Sequence, residues 1–139
     1  MEQITLPGIM GSHAAAIEFL SRQAQRAELD PKAEGKLHLA FDEILTNIIT
    51  HGYAEQGVAG DITLQAELTP EALTLTLEDA APPFDPRNRA KPAILESPLE
   101  SRPIGGVGIY LTMQSVDRFD YNYRDGKNRN ILVMNRART

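Results

Sequence analysis

Residues 41–53, "FDEILTNIITHGY", set Glu43, Asn47 and His51 at intervals of four among apolar neighbours. Four residues carry an α-helix about 40° past a full turn, so the three side chains form a slanting polar ridge. Leu37, Phe41, Ile44, Leu45 and Ile48 fall along the adjoining face. A polar ridge beside a core-facing stripe predicts a helix that walls a cleft; the plainer alternative is a solvated amphipathic helix. Asp30 followed by Pro31 marks the start, because a carboxylate accepts orphan amide protons and proline suits the first helical position. The spacing predicts a helix from 31 to about 52.

Outward from that helix the pattern changes period. Upstream, "ITLP" reads as a short strand. "SHAAAIEFLSRQAQRAEL" places Ala16, Ile17, Leu20, Ala24 and Ala27 at helical spacing behind Ser12 as a cap. Downstream, "DITLQAEL" and "ALTLTLED" alternate apolar and polar residues around the turn "TPEA", which predicts an antiparallel hairpin with one buried face. Residues 80–102 hold five prolines without periodicity, a long irregular loop of the kind that is functional or disordered. "GGVGIYLTMQSV" then predicts a glycine turn opening a third helix, and "RFDYNYRDGKNRNILVMNR" a final hairpin around Asp125, Gly126 and Lys127. The order strand, two helices, two strands, loop, helix, two strands predicts an α+β two-layer sandwich: a mixed, mostly antiparallel sheet with three helices on one face. It does not fit a doubly wound nucleotide fold, because strands and helices fail to alternate.

The totals narrow the function classes. A length of 139 residues without repeat or linker predicts one domain, 1–139. No window approaches the roughly 18 apolar residues of a membrane span. The opening "MEQITLPGIM" lacks a basic segment and apolar core, which predicts a cytoplasmic location rather than secretion. Fourteen basic against 19 acidic residues leave a net charge of −5, which argues against direct nucleic-acid binding. The absence of cysteine removes disulfides, thiol catalysis and thiolate metal sites.

Two further segments carry chemistry. In "LEDAAPPFDP" a strand of alternating leucines ends at Glu78 and Asp79 just before the prolines. A carboxylate there can receive a ligand's amino group, or simply cap the strand exit. In "RPIGGVGIYL", Gly105, Gly106, Val107 and Gly108 precede a helix, so free helical amides can meet phosphate, or the glycines can serve a tight turn. The dinucleotide fingerprint would need a strand directly before them, and the lysine of a GxxxxGK loop is missing.

Taken in order, "FDEILTNIITHGY", "EDAAPPFDP" and "RPIGGVGIYL" resemble the Bergerat ATP-binding fold of gyrase-type topoisomerases, the large heat-shock chaperone, mismatch-repair ATPases and sensor histidine kinases. Within that group the chain is most similar to the small anti-sigma factor serine kinases, over nearly its whole length. The resemblance implies Glu43 as general base, Asn47 as magnesium ligand, Asp79 as the acceptor for the adenine amino group, and Gly105, Gly106, Val107 and Gly108 as the phosphate cradle. His51 falls where such proteins often carry a polar residue beside the nucleotide. Residues of about 80–104 would form an ATP lid, with Arg87, Arg89, Lys91 and Arg102 as its cations and Arg102 reaching the phosphates. The first glycine box departs from the family pattern: Ala81 stands where glycine is usual, which would strain a left-handed backbone or intrude on the base.

The implied cofactors are ATP and Mg2+. One protein oxygen suffices for magnesium that keeps phosphate and water ligands. A carboxylate at Asp79 would meet a carbonyl rather than an amine on guanine, which predicts ATP over GTP. The implied function is an ATP-dependent serine/threonine protein kinase that binds a sigma factor and phosphorylates an anti-anti-sigma partner, as a homodimer. The alternative is an ATP-sensing or protein-binding module without kinase turnover; Glu43 and Asn47 favour the kinase, Ala81 the module.

Overall fold

The computed structural model describes residues 1–89 and 114–136. Its elements are β1 (Glu2–Pro7), α1 (His13–Arg26), α2 (Pro31–Asn47), a π-helical segment (Ile48–Ala54), β2 (Asp61–Leu68), β3 (Ala72–Asp79), β4 (Arg118–Arg124) and β5 (Lys127–Asn135). Short 3-10 turns lie at Met10–Ser12 and Pro86–Arg89.

The strands form one sheet in the order β1-β2-β3-β5-β4, and every pairing is antiparallel. The expected sheet is mixed and mostly antiparallel; among the described residues all of its pairings are antiparallel. Two helices joined by a four-residue link return the chain before β2, so β2 enters against β1 rather than alongside it. Of the three expected helices, two fall among the described residues. The third, at 105–116, lies outside them apart from its end, where residues 114 and 115 are helical.

The core follows from period two meeting period 3.6. Ile62, Leu64, Ala66, Leu73, Leu75, Leu77, Leu132 and Met134 alternate onto one sheet face and are buried there. Phe19, Leu20, Leu37, Phe41, Ile44 and Leu45 bury the facing stripes of α1 and α2. Each such large side chain contributes about 1.5–3 kcal/mol by burial, which outweighs the weak propensities of any one segment. The face of β5 breaks the rule at its start. Asn128 and Asn130 occupy the same buried register as Leu132 and Met134.

Local signals hold where their chemistry is explicit. The Asp30 carboxylate accepts from Ala33 N at 2.8 Å, capping α2 with Pro31 in the first turn. Asp125 and Gly126, with φ of 55° and 73°, make a two-residue turn between β4 and β5, and Lys127 already belongs to β5. Ser12 is the exception. Its hydroxyl donates to Pro7 O at 2.7 Å instead of capping α1.

Candidate functional site

A hollow opens where the helix layer meets the exits of the central strands. Ile44, Asn47, Ile48 and Gly52 line it from the helix, Asp79, Asn128 and Asn130 from the sheet, and Ala81, Pro82, Phe84 and Pro86 from the loop after β3. Among these described residues Asp79 is the single charge. A mostly apolar hollow with one carboxylate and a few convergent amides has the composition of a small-molecule site.

Asp79 ends β3, opposite Asn128 of β5 in the register, and is 3% exposed. Its Oδ1 accepts from Asn128 Nδ2 at 2.9 Å and from Ala81 N at 3.0 Å. Burial is the main influence on its acidity and pushes the carboxyl above the ordinary value. The two hydrogen bonds and nearby Lys127 pull the other way, and Glu78 adds to the upward push.

Asn128 organises the whole exit. Besides Asp79, its Nδ2 donates to Ala81 O at 3.0 Å and Pro82 O at 3.2 Å. Its Oδ1 accepts from Phe84 N at 3.0 Å and from the Tyr121 hydroxyl. One buried amide thereby fixes the carboxylate and three residues of the loop, Ala81, Pro82 and Phe84. Tyr53 secures the other side: its hydroxyl donates to Asp61 O at 2.7 Å and accepts from Ala80 N at 2.8 Å. Its ring fits because Gly8 and Gly60 lack a Cβ, which would stand 2.5 Å and 2.8 Å from it.

Ala81 is buried at 2% exposure, and its backbone is not left-handed; among the described non-glycine residues only Glu28 and Asp125 have positive φ. The strain expected of alanine is absent. Its methyl instead faces Gly52, where an added Cβ would lie 3.3 Å from it. The glycine that lets loop and helix approach is on the helix.

The polar ridge divides. Glu43 is partly buried on α2, one turn before Asn47. Asn47 is 5% exposed and lines the hollow, and its Nδ2 has no hydrogen-bond partner. After Asn47 the helix widens to π geometry, which takes more residues per turn, and the wall continues through Ile48 and Gly52 rather than His51. His51 pairs with Glu55 through Nδ1 and stacks on Phe84, with ring centroids 6.5 Å apart. It backs a lining residue. Asn130 presents a second unpartnered atom, Oδ1, at 3% exposure. Arg87 is held by Asp85, Nη2 to Oδ2 at 2.7 Å, and lies over the Tyr121 ring. Lys91, Arg102, Gly105, Gly106, Val107 and Gly108 lie outside the described residues.

Asn128, Asn130 and Tyr53 are the site residues that motif reading missed. A signal was present for the asparagines: in "KNRNILVMN" alternation assigns them the buried face of a strand, where an amide needs a partner.

Comparison with known proteins places this geometry. The sequence model of the histidine kinase-like ATPase domain matches residues 10–136. Serine/threonine-protein kinase BtrW of Bordetella bronchiseptica is 28% identical over 122 residues, 88% of this chain and 84% of BtrW. Serine-protein kinase RsbW of Bacillus cereus is 29% identical over 93 residues, 65% of this chain and 57% of RsbW. The chain spans little more than half the length of RsbW. Among solved structures, the histidine kinase domain from Erythrobacter litoralis EL346 blue-light activated histidine kinase superposes with a TM-score of 0.53 at 14% identity, over 87% of this chain and 59% of that one. Acinetobacter baumannii histidine kinase AdeS gives a TM-score of 0.53 at 11% identity, over 99% and 69%. These two likenesses concern the fold.

Proposed function

The chain belongs to the histidine kinase-like ATPase domain family, and from that premise we propose that it is an ATP-dependent serine/threonine protein kinase acting as an anti-sigma regulatory factor. The observation that carries the nucleotide half of this reading is Asp79, a buried carboxylate and the single charge among the described residues that line the hollow. Both of its described hydrogen bonds end on Oδ1, which leaves Oδ2 for a donor entering the hollow. The adenine amino group is such a donor. Guanine would present a carbonyl there, and two facing acceptors reject it.

The residues present fit magnesium with ATP. Asn47 carries a buried amide at the wall of the hollow, and its Oδ1 would hold a cation that keeps phosphate and water ligands. Magnesium, when bound, supplies neutralisation of phosphate charge. Glu43, one turn back along α2, is the group proposed to orient and deprotonate a serine or threonine hydroxyl, an effect of about 10² to 10⁴ in rate. Ile44 and Ile48 exclude water from the helix wall. Phe84, backed by His51, forms the loop side against the base.

The kinase half rests on relatives named as serine or serine/threonine protein kinases. We assign the chain a single domain over 1–139, with a lid at about 80–104; Arg102 of the lid and the glycine segment 105–108 that follows it are the groups proposed to meet the phosphates. Extending the anti-sigma resemblance, its protein partners are a sigma factor and an anti-anti-sigma substrate. Phosphate on the substrate would break its docking through charge repulsion and desolvation. A homodimer in the bacterial cytoplasm completes the proposal. Among the described residues no helix is long and apolar enough to cross a membrane.

Calorimetric titration with ATP and GTP, with and without magnesium, tests the first half. Magnesium-dependent binding of ATP alone is expected, and equal binding of GTP would refute the role of Asp79. Transfer of labelled γ-phosphate to a serine or threonine of a candidate anti-anti-sigma partner tests the second; ATP binding without transfer to any such partner would favour the sensing module.

A further inference from the structure

Two buried polar atoms in the hollow lack partners, and they are of opposite kind. Asn47 Nδ2 is a donor on the helix wall; Asn130 Oδ1 is an acceptor on the sheet wall. A buried amide group without its hydrogen bond costs about 1–3 kcal/mol, so chance placement of two in one hollow is disfavoured unless something satisfies both. The neighbouring amide shows the contrast. Asn128, two residues earlier on the same face of β5, has its side chain fully engaged by Asp79, residues 81–84 and Tyr121.

We propose that Asn47 Nδ2 and Asn130 Oδ1 are the two jaws of one subsite, filled by a single oxygen that accepts from the helix and donates to the sheet. A group that does both is an O–H: a hydroxyl of the nucleotide sugar, or a water retained beside the nucleotide. The subsite rests on the nucleotide reading and makes Asn130 a ligand-binding residue that none of the motifs contains. It also gives Asn47 two separate tasks. Its Oδ1 would hold magnesium while Nδ2 serves the oxygen, so the amide would be used at both ends.

The test compares Asn130→Thr with Asn130→Val in the full chain, two variants of nearly one shape that differ by a hydroxyl and both suit a strand. Calorimetry with MgATP, Mg-2′-deoxy-ATP and Mg-3′-deoxy-ATP gives the affinities, and thermal melting without ligand gives the stabilities. Asn130→Thr is expected to bind MgATP about three- to tenfold more tightly than Asn130→Val, the worth of one hydrogen bond. Asn130→Val should nevertheless melt at least as high, because it buries no unpaired oxygen. A merely structural role would lower both quantities together. If the oxygen is a sugar hydroxyl, the difference between the variants disappears for the analogue that lacks it; if it is a water, the difference is the same for all three nucleotides. Equal MgATP affinities in the two folded variants overturn the subsite and leave the nucleotide reading standing. A wild-type protein that binds none of the three overturns the nucleotide reading and the subsite with it. Should β-branched side chains prevent folding, Asn130→Ser against Asn130→Ala makes the same comparison with smaller ones.

Discussion

The two ends of the hollow are built differently. At the strand exit, Asn128 and the Ala81 amide form a closed network around Asp79 Oδ1, and the Tyr53 hydroxyl ties Ala80 N of the same loop to Asp61 O. Along the inner wall, Asn47 and Asn130 each hold an unpartnered atom. The first end is preorganised and selects a ligand by what it rejects; the second is completed by what enters. A preformed acceptor needs rigid support because a misplaced carboxylate discriminates poorly. An open donor and acceptor keep their value only if nothing in the protein consumes them.

Breaking the closed end should have the largest effect. Asn128→Ala strips partners from Phe84 N and the Tyr121 hydroxyl and removes a donor from a buried carboxylate. Loss of about 3 kcal/mol of stability is expected, read as a lowered midpoint in urea unfolding. The same truncation at Asn130 should cost far less, because no hydrogen bond of its Oδ1 is lost. Equal losses at the two positions would erase the distinction between the ends.

Asp79→Asn probes the same end without dismantling it. The replacement keeps an oxygen for Ala81 N and Asn128 but offers an amide nitrogen where adenine brings its amine. ATP affinity should fall about 100-fold or more in calorimetry, while the ligand-free protein unfolds no more easily than wild type. The reason is that burial raises the Asp79 pKa above 3.8. A folded state that holds a proton more tightly than the unfolded chain loses stability as pH rises from that value through the raised one. At neutral pH the ionised form is therefore a cost, which the amide removes. A variant that lost stability and binding together would contradict this account.

The pH dependence of binding sharpens the point. The amine needs the carboxylate form, so ATP affinity should decline about tenfold per unit once pH falls below the raised pKa of Asp79. The decline should begin at a higher pH than an ordinary aspartate would set. The groups facing Asp79 are Asn128, the Ala81 amide, Lys127, Glu78 and Tyr53. Asn128 lowers that pKa, so its loss should move the decline to still higher pH. Wild-type affinity unaltered by acid would remove Asp79 from base recognition.

Legibility in the sequence followed the same division. The hairpins, the Asp30 cap and the amphipathic helices could be read because each rests on a local rule: alternation, a capping carboxylate, a repeat of 3.6. The family and Asp79 at a strand exit came through for a related reason, since their motifs are contiguous. Asn128 was not legible as the partner of Asp79, because β3 and β5 are brought together across 49 positions of chain by pairing alone. The π segment was hidden too. Nothing in "IITHGYA" distinguishes a wider turn from an α turn until the wall selects Gly52 in place of His51.

Ala81 is the residue whose meaning changed most, and it supplies the smallest and most discriminating prediction. From sequence alone, alanine at a position where the family has glycine reads as damage to the nucleotide site. In three dimensions its methyl occupies the space above Gly52, at a distance that leaves little tolerance for a second methyl. Gly52→Ala should destabilise the protein by about 1 kcal/mol and weaken ATP binding slightly, since helix and loop must part by a few tenths of an ångström. Adding Ala81→Gly should recover most of that loss, giving a coupling of about 1 kcal/mol in a double-mutant cycle measured by urea unfolding. Additive effects would mean that the two positions do not share the contact. A positive coupling would mean that the hollow keeps its width through either of two glycines, and that the alanine moved the close approach from the loop to the helix without closing the site.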